Sequence, residues 1–428
     1  MRLAILTAGG AGMFCGSCMH DNTLARALIA GGHEAVLVPC YTPIRVDEAN
    51  VSDSRVFLGG VNLYLDHLVP LWRRMPRRVR GLLDRPSVLR LVTRLSSSSD
   101  AAALGELTIE LLRGDHGPLA AELPPLVEYL TGELRPDAIL FSNALLGGVL
   151  GPLRAAFDGP IACLLQGDDV FLDGLPPRHK QAAIALVGDA AERFDGFLTH
   201  SRFYADYMAG YLGLPRERFA QVPLGIDCDL FPPRPPSSEP TTIGYFARRA
   251  PEKGLHHFVD AAARLDRPEV RFLVGGYTHP KDAAYAAEQL ARLRSCGSVI
   301  DVGSPATHEE KVAALHRCDL LSVPTEFLEP KGLPILEAMA CGVPCVQPDH
   351  GAFGELISTT GGGWLVPPRD PVKLAAVWSM LVDGVSERYR VARQAASGVR
   401  EHYGLDAMVR QTVDAIEHLR APAPASMP

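Results

Sequence analysis

No apolar run in the chain approaches the roughly 18 residues that a membrane-crossing helix needs, so nothing in it reads as a span. An excess of basic residues is also missing. The 42 Lys and Arg stand against 49 Asp and Glu, a net charge of −7, and a whole-chain nucleic-acid binder would normally be basic. A disulfide framework is not suggested either: nine cysteines, an odd number, are scattered through apolar segments, as expected of reduced thiols in a cytoplasm. The start, Met1-Arg-Leu-Ala-Ile-Leu-Thr-Ala-Gly9-Gly10, has an apolar core too short for a signal peptide and reads as a buried first strand. What is present is ordinary globular material, 47% apolar and 21% charged over 428 residues. That is too long for one typical core and suits two domains of roughly 200 residues each.

Apolar, β-branched runs alternate with helix-period runs, the pattern of parallel strands joined by crossover helices. In the first half the spacing predicts strands over 3–7, 35–39, 138–141, 161–165 and 197–200. A helix carrying Leu24, Leu28 and Ile29, capped by Asp21, Asn22 or Thr23, stops at Gly31-Gly32. Five prolines between Phe231 and Pro240 cannot continue a helix or a central strand, and 231–240 is expected to be an interdomain linker. A second series follows, with strands over 242–246, 271–274, 298–302, 320–323 and 343–347 and helices near 255–265, 282–295, 308–316 and 333–340. The expected fold is α/β, two Rossmann-like doubly wound parallel-sheet domains facing a cleft, over 1–230 and 241–404.

The stretch that names a chemistry is Glu329-Pro-Lys-Gly-Leu-Pro-Ile-Leu-Glu337-Ala-Met-Ala-Cys-Gly342-Val-Pro344. Two carboxylates bracket a glycine turn, the first on a loop and the second a little over two helical turns further, so both can face one cleft. Gly332 lets backbone N–H groups approach an anion, and a helix start adds a positive dipole end. Such a site suits a phosphorylated, polyhydroxylated ligand. A paired carboxylate also suits general acid and base work.

This stretch resembles the donor-sugar signature of GT-B glycosyltransferases of the retaining family 4 type, in which two glutamates separated by seven residues hold a nucleotide sugar. The segment Gly244-Tyr-Phe-Ala-Arg248-Arg-Ala-Pro-Glu-Lys253-Gly254 is similar to that family's Gly-Arg-Leu-x-x-x-Lys-Gly run. The resemblance implies that Arg248 and Lys253 contact the diphosphate, that Glu329 holds sugar hydroxyls and that Glu337 accepts hydrogen bonds from the ribose. Gly332 and Leu333 would offer N–H groups to phosphate, and Val302-Gly303 would grip the nucleobase. It further implies that a last helix near 405–420 crosses back to the first domain. Lys331 departs from the aromatic or uncharged residue common in relatives; it is either solvated or paired with an acidic group on the sugar.

In the first domain, a loop containing Gly9, Gly10, Gly12 and Gly16 sits where such enzymes bring backbone against donor phosphates and acceptor. Read as a dinucleotide fingerprint it fits poorly, since the next strand ends in Val-Pro-Cys-Tyr without an acid for a ribose. Cys15 and Cys18 read as plain thiols, because no second Cys or His pair stands at metal-ligand spacing. His20 is either an acceptor-site group or a neighbour of a helix cap. Gln166 occupies the place of the family's histidine beside the reacting sugar, with Asp168 left to orient the acceptor, and Asp168-Asp169 lacks the third ligand of a metal site. Trp72-Arg-Arg-Met-Pro-Arg-Arg-Val-Arg80 is either a solvated helix face or a basic, leucine-flanked segment for peripheral contact with an anionic membrane.

The expected activity is therefore metal-independent, retaining transfer from a nucleoside diphosphate sugar to a hydroxyl acceptor, in the cytoplasm or at the inner membrane face, with no cofactor and no nucleic-acid partner. The rival readings are a non-catalytic nucleotide-sugar or glycan-binding protein and, on glycine spacing alone, an NAD(P)-dependent oxidoreductase.

Overall fold

The structure, a computed structural model, describes residues 1–9, 16–46, 48–58, 101–234 and 241–420. The chain divides into two compact units: Met1–His200 with Ala205–Val222 and Met408–Pro428, and Ser201–Tyr204 with Pro223–Ala407. Each is built on a six-stranded sheet in which every described strand pair is parallel.

The first sheet has the order β2-β1-β3-β4-β5-β6, formed by β1 (Arg2–Thr7), β2 (Glu34–Pro39), β3 (Ala138–Phe141), β4 (Ile161–Leu164), β5 (Gly196–Thr199) and β6 (Phe219–Gln221). The central strands β3, β4 and β5 are buried along their whole length. This is why they read as unbroken apolar runs rather than as alternations. Ser52, outside the named strands, makes an isolated parallel bridge to Leu37 of β2. The first crossover helix is Gly16–Ala30, so Asp21, Asn22 and Thr23 are interior to it and not its cap. Their polar groups have long-range partners instead. Asn22 donates to the Ala49 carbonyl at 3.0 Å and accepts from the Val51 N–H at 3.0 Å, and Asp21 accepts from Gln166.

The second sheet has the order β12-β11-β10-β7-β8-β9, formed by β7 (Thr242–Phe246), β8 (Arg271–Gly275), β9 (Ser298–Gly303), β10 (Leu320–Leu321), β11 (Cys345–Pro348) and β12 (Gly363–Val366). Its order reverses at β7, which lies between β8 and β10; ligands of open α/β sheets bind outside the strand carboxyl ends at such a point. The strand expected over 320–323 ends at Leu321. Beyond it the buried Gln347 side chain takes over the ladder, accepting from the Val323 N–H at 3.1 Å and donating to the Leu321 carbonyl at 3.3 Å.

Residues 231–234 belong to the second unit. Phe231 is buried, and the Arg234 N–H donates to the Cys341 carbonyl at 2.9 Å. The rest of the proline-rich run, the glycine loop at Gly10 and Gly12, Cys15 and the basic segment from Trp72 to Arg80 lie outside the described residues. Among the described residues no helix is long and apolar enough to cross a membrane.

Candidate functional site

In the second unit the loops leaving β7, β8, β9 and β10 gather at the carboxyl edge of the sheet. After β7 the chain turns through Gly254, whose φ of +70° places it in the left-handed region. A Cβ there would lie 1.8 Å from the Pro324 carbonyl oxygen, so only glycine permits this contact. Gly254 opens the helix Leu255–Ala262, and the preceding residue, Lys253, projects towards the segment that follows β10. Its Nζ donates to Glu329 Oε2 at 2.8 Å and lies 4.2 Å from the centre of the Phe327 ring.

Glu329 is 9% exposed. Its second oxygen, Oε1, accepts from the Gly332 N–H at 3.2 Å and the Lys331 N–H at 3.4 Å. Burial pushes its pKa up, but the charge and hydrogen bond of Lys253, together with those two N–H groups, outweigh burial and hold it below its ordinary 4.5. Glu329 is thus an ionised acceptor. Gly332, at φ +70°, caps the helix Leu333–Ala340, and a Cβ on it would meet Leu356 at 2.4 Å. One of the N–H groups expected to face phosphate is therefore engaged by the protein's own carboxylate.

Glu337, on that helix, is also buried, and it accepts from Lys311 Nζ at 3.0 Å. Lys311 comes from the helix His308–Leu315 and was missed by the sequence reading; no motif marks it, because its partner is set by tertiary packing. The two glutamates thus each meet a lysine from a different segment. Arg248 does not join Lys253 on Glu329: it is exposed at the surface and pairs with Glu252. The neighbouring Arg249 is the buried one. It bonds Asp301 and the Val274 carbonyl, tying the loop after β7 to β8 and β9. At the end of β9, Gly303 donates its N–H to Asp301 at 3.0 Å and accepts from the Gly276 N–H at 2.7 Å.

The first unit places its polar residues at the carboxyl ends of β3 and β4. Gln166 is buried; its Nε2 donates to Asp21 Oδ1 at 2.8 Å and to the Ser142 carbonyl at 3.2 Å. Asp168 opens the short helix Asp168–Asp173. Its oxygens accept from the N–H groups of Ala144 at 2.7 Å and Gln166 at 3.0 Å, which fixes the turns after β3 and β4. His20 stands beside this group, its ring 4.5 Å from that of His200 and its Nδ1 3.8 Å from Asp21 Oδ1. Gly16 is the first residue of the helix Gly16–Ala30. Cys18 is buried.

Residues 229–397 match the family model described as Glycosyl transferases group 1, and this interval contains Arg248, Lys253, Lys311, Glu329 and Glu337. A glycogen synthase of Mycobacterium tuberculosis is 31% identical over 270 residues, 61% of this chain and 64% of that protein. The match therefore spans less than two thirds of that relative's length. Among solved structures, sucrose-phosphate synthase of Thermosynechococcus elongatus aligns with a TM-score of 0.68 at 18% identity, covering 98% of this chain and 99% of that one. HepE of Anabaena, solved with UDP and glucose, aligns at 0.65 and 18% identity over 97% and 99% of the two chains. The fold class is GT-B: two Rossmann-like parallel sheets of six strands, shared with these solved structures.

Proposed function

We propose that this chain, whose residues 229–397 form a glycosyl transferases group 1 domain, transfers a hexose-type unit from a nucleoside diphosphate sugar to a hydroxyl acceptor with retention of anomeric configuration. The observation that carries the reading is the Lys253–Glu329 pair beside the Gly332 turn. A cation and an ionised acceptor stand together where a ligand presents phosphate and hydroxyls side by side. Lys253 takes a phosphoryl oxygen of the donor and Arg248 turns from Glu252 to take another. Glu329 accepts from hydroxyls of the transferred sugar, Glu337 accepts from the ribose, and Val302-Gly303 meets the base.

Charge develops on the diphosphate as the bond from the anomeric carbon to the phosphate oxygen breaks, and fixed cations there lower the barrier. The acceptor oxygen forms its bond to the same face of the sugar, and its proton passes to the departing phosphate oxygen. No carboxylate has to move a proton in this scheme and no metal is assigned to the step. Gln166 and Asp168 are the acceptor-side groups in this reading. The segment from Trp72 to Arg80 gives peripheral contact with an anionic membrane surface, which flotation with liposomes of anionic and neutral composition tests.

The deciding experiment offers a panel of UDP-, GDP- and ADP-sugars, alone and with cell extract, and measures release of free nucleoside diphosphate. The UDP and glucose bound by HepE make UDP-glucose the first donor to try. Acceptor-dependent release from one donor, with the product anomer matching the donor anomer by NMR, supports the reading. Donors that bind without turnover would establish the non-catalytic alternative. Glu337→Gln should raise the donor KM without introducing a new pH-dependent step in kcat, as expected of a ligand for ribose and not of an acid or base.

A further inference from the structure

Just after Lys253 in the chain lies a second group of side chains that the proposed transfer does not use. His256 and His257 occupy the first turn of the helix Leu255–Ala262, and Glu326 lies on the segment after β10. The Nε2 atoms of the two imidazoles stand 3.2 and 3.0 Å from the same oxygen, Glu326 Oε1. One atom from each of the three residues falls within 4.8 Å of the others. In a tetrahedral shell with bonds of about 2.0–2.1 Å, neighbouring ligand atoms are about 3.3 Å apart. Each imidazole nitrogen is therefore already at ligand-to-ligand distance from the carboxylate oxygen.

Supporting contacts hold the group in place. The Tyr285 hydroxyl lies 2.8 Å from His256 Nδ1 and accepts from the His256 backbone N–H at 3.1 Å, the kind of outer partner that orients a metal-ligating imidazole. The Glu326 N–H donates to the Glu252 carbonyl at 2.9 Å. Side-chain exposures of 26% for His256, 14% for His257 and 33% for Glu326 leave an entry path and room for a water in a fourth position.

We infer that His256, His257 and Glu326 form a binding site for one divalent transition-metal ion of the zinc class. Two imidazole nitrogens and one carboxylate oxygen select zinc, cobalt or nickel over magnesium and calcium, which prefer all-oxygen shells. On binding, each ring presents its Nε2 lone pair to the ion and carries its proton on Nδ1, where Tyr285 receives that of His256. The ion bridges the start of the helix after Lys253 to the segment leading into Glu329. It braces the two pieces of chain that form the Lys253–Glu329 pair without touching either residue.

The test uses the full chain, stripped with EDTA and titrated with cobalt(II), whose tetrahedral complexes absorb in the visible. The wild type should take up one equivalent with this absorption and be displaced by zinc but not by magnesium. His257→Gln and Glu326→Gln should each raise the dissociation constant by about 100-fold or more. Because other histidines and cysteines can bind cobalt weakly, the wild-type signal is read as the difference from these variants. Circular dichroism confirms that both remain folded, and zinc should raise the wild-type Tm but not theirs. Equal cobalt spectra in wild type and variants, or a wild type that zinc does not stabilise, overturns the site and leaves a hydrogen-bonded cluster only. Neither readout depends on sugar transfer.

Discussion

In the second unit each buried carboxylate of the candidate site meets a lysine, Glu329 with Lys253 and Glu337 with Lys311. In the first unit the comparable carboxylates meet amides: Asp21 accepts from the Gln166 side chain and Asp168 from two backbone N–H groups. The difference has a physical meaning. A lysine ammonium is a mobile point charge on a flexible stem and can be shared with an incoming phosphate, whereas a backbone N–H cannot leave its place. The second unit therefore keeps charges ready for exchange with a ligand. The first uses its carboxylates to fix the turns at its strand ends.

The largest expected effects probe how rigidly each unit is built. Gly254→Ala drives a Cβ into the Pro324 carbonyl at 1.8 Å in a left-handed conformation and should cost more than about 3 kcal/mol. Gly16→Ala, where a Cβ meets nothing within 4 Å, should stay within about 0.5 kcal/mol; chemical denaturation of the two variants makes the comparison. Next, Lys253→Ala strands a buried carboxylate. We expect about 3 kcal/mol of lost stability and a fall in kcat of about 10²–10³-fold. Adding Glu329→Gln should recover much of the stability and none of the activity.

Gln166→Leu tests the amide side of the contrast. Removing a donor from buried Asp21 should cost about 1–3 kcal/mol, seen as a lower Tm. A pH series then separates the two kinds of carboxylate support. Because the folded pKa of Glu329 lies below its ordinary 4.5, the stability it supplies is fully present above that value and is lost as pH falls through the folded pKa. Acid unfolding of Glu329→Gln should accordingly be less steep below about pH 4.5 than that of wild type. The smallest effect belongs to Arg248→Ala: as half of an exposed pair with Glu252, it should change stability by less than about 0.5 kcal/mol. A raised donor KM in that variant would mark the swing to phosphate, and an unchanged KM would remove Arg248 from the site.

Legibility in the sequence followed the range of the interactions. The buried central strands were readable because their apolar runs are unbroken, whereas β6 and β12 were missed. Both are short and lie at sheet edges, where less burial is needed. Glu329, Gly332 and Glu337 were readable because one loop and one helix fix their spacing. Lys311, 26 residues from its partner, and the His257–Glu326 contact across 69 residues were not, since only tertiary packing brings them together. Asp21, Asn22 and Thr23 resemble a helix cap in composition, but they lie inside a helix that begins at Gly16, and Asn22 and Asp21 find partners in the turns after β2 and β4.

One carboxylate holds both sides of the stretch 235–240. Asp319 bonds the Arg234 guanidinium at 2.6 Å through Oδ1 and the Thr242 N–H at 2.8 Å through Oδ2, and the side chains of Arg234 and Asp319 are both buried. With its ends anchored to a single residue, the length of that stretch is uncoupled from the register of β7. Lengthening it should cost only chain-closure entropy, about 0.6 kcal/mol for each doubling. An insertion between Arg234 and Thr241 is therefore expected to leave β7 and the loop that carries Lys253 in position.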